Sequence, residues 1–88
     1  MSKQQEIMDI LQEECGELIT AISKIRRFGL FNTYKDGGTQ QEHLTQEAGD
    51  VMLMIQLLIE HGVLNKEELE AAKERKATKL KVWSKIYE

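Results

Sequence analysis

The chain has 88 residues, of which 41% are hydrophobic and 31% charged, with one cysteine and no proline, which predicts a single all-α domain spanning residues 1–88. Cys15 rules out an intrachain disulfide and any zinc site that needs several cysteines, and no apolar run is long enough for a signal peptide or a membrane span, so a soluble, cytoplasmic protein is expected. The net charge of −3 is uneven: residues 1–65 hold five lysines and arginines against ten acids, and residues 66–88 hold seven against five, which makes nucleic acid a poor partner.

Ser2 with Gln5 three residues on is a capping-box signature, and apolar residues then recur at Ile7, Ile10, Leu11, Leu18, Ala21, Ile22 and Ile25. This spacing predicts one amphipathic helix over about residues 3–28. Glu14 and Glu17 interrupt its apolar stripe, and acids on a face meant for burial need a reason. Residues 29–38 lose the period and end in AspGlyGly, a turn signal, so this segment is a loop with room for a short extra helix. Phe28, Phe31 and Tyr34 either pin that loop to the core or stand ready to stack on a base, and pinning is the commoner use of such residues.

Thr39 with Glu42 opens a second helix to about His61, with Gly62 as a left-handed cap and Val63 and Leu64 as the contact beyond it. Between Val51 and Ile59 only Gln56 is polar. A helix apolar nearly all round must be covered on more than one side. Two other helices in so short a chain do not suffice, so an antiparallel three-helix bundle completed by oligomerisation, as a homodimer or homotetramer, is expected, with Met52 and Met54 as adaptable filler. Asn65 with Glu68 opens a third helix over about residues 66–87, where Leu69, Ala72, Leu80, Trp83, Ile86 and Tyr87 alternate with cations including Lys73, Arg75, Lys76, Lys79 and Lys81. Pairs such as Glu70 with Lys73 account for part of that charge.

Two acid pairs stand out, Glu14 with Glu17 and Glu47 with Asp50, each three residues apart around a glycine. Residues three apart share a helix face, so two antiparallel helices would bring four carboxylates together. Like charges about 4 Å apart repel by roughly 4 kcal/mol at an effective dielectric near 20, and a divalent cation turns that repulsion into coordination. Gly16 and Gly49 each cost about 1 kcal/mol relative to alanine within a helix, which suggests close helix approach as the compensation. A di-iron site is excluded because His43 and His61 follow Gln40 and Leu58, not glutamates, by three residues. His43, one turn before Glu47, could orient a ligand or contact a phosphate, but a surface histidine of a first helical turn is the commoner case.

With GluGluCysGlyGlu at 13–17 and GluAlaGlyAsp at 47–50, the sequence resembles the MazG-like all-α nucleoside triphosphate pyrophosphohydrolases, and AlaIleSerLysIleArgArgPheGly after the first motif is similar to small members carried by bacteriophages. The resemblance covers residues 6–62 best. It implies hydrolysis of a nucleoside triphosphate, a deoxynucleotide by preference, to the monophosphate and pyrophosphate, with Mg2+ or Mn2+ held by Glu14, Glu17, Glu47 and Asp50. It further implies catalytic roles for Glu13 and Glu17. Hydrated divalent cations suit attack at the α-phosphorus, and the remaining phosphate charge calls for cations, for which Lys24, Arg27, Lys76 and Lys79 are the candidates. Many relatives carry a lysine followed by asparagine and arginine on the later helix, whereas no asparagine follows Asn65 here. The alternative is a non-enzymatic helical oligomerisation module with solvated acids.

Overall fold

A computed structural model describes residues 2–33 and 37–88 and consists of three helices, α1 (Lys3–Phe28), α2 (Gln40–Glu60) and α3 (Lys66–Trp83). Each helix begins where a side chain takes up a first-turn N–H. Ser2 and Gln5 form the full reciprocal capping box, Thr39 Oγ1 accepts from the Glu42 N–H at 3.1 Å, and Asn65 Oδ1 accepts from the Glu68 N–H at 2.9 Å. Gly62, at φ 78°, adopts the left-handed conformation that reverses the chain after α2. The Val63 and Leu64 N–H groups both donate to the Leu58 carbonyl there.

α1 and α2 form an antiparallel hairpin. Its open end, where α1 begins and α2 finishes, holds a small apolar cluster of Ile7, Met54 and Leu58, flanked by Leu11, Leu57 and Leu64. The Gln4 amide fastens the same end by donating to the His61 carbonyl at 2.7 Å. Leu64 thus makes the contact expected beyond the Gly62 cap, while Val63 stays exposed. At the other end the 29–38 connection is tied by backbone hydrogen bonds from Gln40 to the Asn32 carbonyl and from Gln41 to the Leu30 carbonyl, with an isolated bridge between Thr33 and Thr39. No short helix forms among the described residues of this connection. Phe31 is 74% exposed and Phe28 is also exposed, with the Arg27 guanidinium over its ring. The backbone, not these aromatic rings, holds the loop; Tyr34 lies outside the described residues.

α3 contributes no buried residue and packs only marginally on the hairpin. It also ends earlier than its apolar period suggests, at Trp83. Ser84 turns extended, its hydroxyl donating to the Leu80 carbonyl at 2.8 Å and accepting from the Ile86 N–H. A serine that satisfies the last carbonyl through its side chain competes with helix continuation. The outcome is a slab of 40 × 39 × 14 Å with a radius of gyration of 15.8 Å, against roughly 12 Å for a compact domain of this length. With so small a core, Leu58→Ala should cost about 2–5 kcal/mol of stability in urea unfolding at fixed protein concentration, and a loss under about 1 kcal/mol would show that the cluster does not hold the hairpin.

Candidate functional site

The antiparallel hairpin sets the middle of α1 against the first half of α2, and the two acid pairs meet there. Carboxylate oxygens of Glu14, Glu47 and Asp50 all lie within 4.8 Å of one another. Glu14 and Glu47 are half-buried and Asp50 is exposed. Glu17 lies beside Glu47, while Glu13 is exposed and affects Glu14 only as the weakest of its neighbouring charges. The sequence-derived set therefore converges with three acids closest together, Glu17 adjoining, and Glu13 at the margin.

The electrostatics are those of a site short of positive charge. Partial burial raises the Glu14 carboxyl above its usual range, and the charges of Glu17, Asp50, Glu47 and Glu13 push it further. Burial likewise raises Glu47, followed by the shared hydrogen bond and the charge of Glu17 and by Asp50, with His43 pulling the other way. When both carboxylates are ionised neither can donate, and the buried Oε2 atoms of Glu14 and Glu47 are left without a hydrogen-bond partner. Buried carboxylate oxygens without donors, within ligand distance of a third acid, fit a hard oxygen-seeking dication. A divalent cation would be held by Glu14, Glu47 and Asp50, with Glu17 alongside.

Next to the acids lies a cleft of about 190 Å³ lined by Glu17, Thr20, Ala21, Lys24, His43 and Glu47. Lys24 is thus brought to the acid site. Arg27 is not: it lines a different groove with Ile19, Ile22, Ser23 and Arg26. Lys76 and Lys79 line a third groove with Leu80 and Trp83 on α3, apart from the acids within one chain because α3 does not fold onto the hairpin. The expected surface histidine, His43, is instead half-buried against the cleft. Its position one turn before Glu47 is the signal that finds it.

The two motif glycines do not serve close approach of α1 and α2. A Cβ built on Gly16 or Gly49 meets nothing within 4 Å, and both residues are exposed. Each lies two residues after an inward acid, about 200° round the helix, and so faces outward.

A family model for the MazG nucleotide pyrophosphohydrolase domain matches residues 2–81. No curated protein and no solved structure matches the chain.

Carboxyls raised in the folded state are easier to ionise in the unfolded one, so their contribution favours folding at low pH and turns against it as pH rises through the raised values. Without divalent cations, the stability of the wild type relative to Glu47→Gln should therefore fall as pH is raised from 4 toward 7. Millimolar Mn2+ should reverse the trend by replacing protons at the cluster and should raise the melting temperature of the wild type more than that of the variant. Equal responses of the two proteins would show that the acids are merely solvated.

Proposed function

The chain belongs to the MazG nucleotide pyrophosphohydrolase family, and from that premise we propose that it hydrolyses a nucleoside triphosphate, a deoxynucleotide by preference, to the monophosphate and pyrophosphate. The observation that carries this reading is the convergence of Glu14, Glu47 and Asp50 with two buried oxygens lacking donors. Mg2+ or Mn2+, when bound by these acids and Glu17, neutralises phosphate charge and makes water a better nucleophile near neutral pH.

The chain's own residues supply the rest. Glu17, between the cluster and the cleft, accepts a hydrogen bond from the attacking water and orients it toward the α-phosphorus. Glu13 supports the cluster from the solvent side. Lys24, which lines the cleft, meets the phosphate tail and favours departure of pyrophosphate. Arg27, Lys76 and Lys79 reach the substrate only if copies of the chain assemble so that these residues face the cleft.

We infer such an assembly, a homodimer or homotetramer. Met52 is 69% exposed on α2 and Ile19 68% exposed on α1, with Leu53 also uncovered, a degree of apolar exposure that marks contact surfaces. The reading assigns the activity to the cytoplasm, the host's if the chain is phage-encoded, because its proposed substrate and cation are found there. A purely structural helical module explains the exposed apolar faces equally well, but gives no reason for three converging carboxylates of which two carry a buried oxygen without a hydrogen-bond partner.

Incubating the protein with each common NTP and dNTP and Mg2+ or Mn2+ should yield pyrophosphate rather than orthophosphate. Glu47→Gln and Asp50→Asn should each lower turnover by more than about a hundredfold, beyond the loss expected for a merely supporting group, with helicity by circular dichroism unchanged. Full turnover in either variant would remove the acids from the mechanism. Separately, Leu53→Asp should reduce the mass seen by sedimentation, and a wild type that sediments as a monomer at all concentrations would end the assembly reading.

A further inference from the structure

The last two turns of α3 and the turn beyond them carry a surface that neither the acid site nor the exposed apolar residues of the hairpin account for. Residues 75–87 hold the cations Arg75, Lys76, Lys79, Lys81 and Lys85 and no acid. The same stretch leaves its large apolar side chains in water: Val82 is 84% and Trp83 82% exposed, and Ile86 and Tyr87 are exposed as well. A merely solvated cationic face has no use for them, and apolar area gathered in water marks a contact surface.

Charge and apolar area share one side of the helix. At about 100° per residue, Arg75, Lys76, Lys79, Val82 and Trp83 fall within about 120° of arc, whereas Glu70 and Glu74 lie on the far side. Lys76, Lys79 and Trp83 line one groove of about 230 Å³ together with Leu80. Beyond Ser84, where the helix stops, Lys85, Ile86 and Tyr87 repeat the same composition.

Three kinds of partner could answer these cations, and the apolar residues choose among them. Stacked nucleobases would use the rings of Trp83 and Tyr87 but gain nothing from Val82 and Ile86. A second copy of the chain offers the exposed groove of Ile19 and Ile22 on α1, but Arg26 and Arg27 line that groove and would set cations against cations. An anionic bilayer surface uses the whole set. Indole and phenol rings settle at the level of the headgroups, Val82 and Ile86 enter the acyl boundary, and lysine and arginine stems lie along the apolar layer with their charges at the lipid phosphates.

The fold leaves α3 free to make this contact, since it contributes no buried residue and packs only marginally on the hairpin. Residues 1–65 hold ten acids against five cations, so a surface that attracts α3 repels the hairpin. No helix is long and apolar enough to cross a membrane, and the contact meant is with the surface alone. We propose that residues 75–87 are a docking surface for anionic membranes, which holds α3 against the lipid and turns the acidic hairpin toward solvent. Lys76 and Lys79, apart from the acid cleft within one chain, meet lipid phosphates in this arrangement.

Trp83 is the chain's one tryptophan, so its emission reports the contact directly. The full chain is titrated with vesicles of phosphatidylcholine mixed with phosphatidylserine, with vesicles of phosphatidylcholine alone and with a single-stranded oligonucleotide, and a dilution series without lipid is followed by sedimentation. The mixed vesicles should shift the emission to the blue and bind at least about tenfold more tightly than the neutral ones, and added salt should release the protein. Replacing Arg75 and Lys85 together by glutamine should weaken that binding about twentyfold, roughly fivefold for each cation at an anionic leaflet. Val82→Ser combined with Ile86→Ser should weaken it about tenfold. Helicity and the release of pyrophosphate from triphosphates in free solution should stay at wild-type levels in both double variants. Emission unmoved by the mixed vesicles, equal binding to both kinds of vesicle, or double variants that bind as tightly as the wild type would overturn the proposal. A shift with the oligonucleotide and none with lipid would overturn it by assigning the face to nucleic acid. A blue shift that grows with protein concentration and sedimenting mass alone, and that lipid does not change, would overturn it by assigning the face to a second copy.

Discussion

Carboxylates crowded onto the inner faces of two antiparallel helices are the constraint around which this chain is arranged. Glu14, Glu47 and Asp50 approach one another closely enough to share a ligand, and burial and mutual charge together raise the pKa values of Glu14 and Glu47. A protein selected for stability alone would place apolar residues at these positions, since carboxylates without partners are among the costliest groups to bury. Their presence in the middle of the hairpin locates function where packing would otherwise be best. The apolar cluster is correspondingly displaced to the end of the hairpin, around Ile7, Met54 and Leu58.

That displacement has a consequence for the whole molecule. The hairpin buries little, no side chain among the described residues is fully sequestered, and α3 adds no buried residue. Helices of this length draw most of their stability from tertiary packing rather than from propensity. Ile19, Met52 and Leu53 remain exposed, apolar surface that the proposed assembly would bury. The proposed assembly is tied to the site in this way: acids that weaken the core of one chain would make packing against another more valuable.

Much of this was legible in the residues. The three helix starts follow from Ser2, Thr39 and Asn65, because an N-cap is a local interaction between a side chain and a backbone N–H three residues away. The convergence of the acid pairs follows from their spacing of three and from an antiparallel hairpin. What spacing could not show is which residues face away: Gly16 and Gly49 look like sites of close contact until their angle to the neighbouring acids is counted round the helix. The packing of α3 was also illegible, because an apolar period says that a face seeks cover but not whether the cover lies in the same chain. His43 was underrated for a related reason. A histidine in a first helical turn is usually solvated, and only the folded loop at Gly38 shows this one confined.

The central claim is that these carboxylates form one cation site. Anomalous diffraction from crystals grown with Mn2+ tests it most directly. The account predicts a manganese peak within coordination distance of oxygens from Glu14, Glu47 and Asp50. Manganese absent from that point, with the three side chains turned apart into solvent, would contradict it.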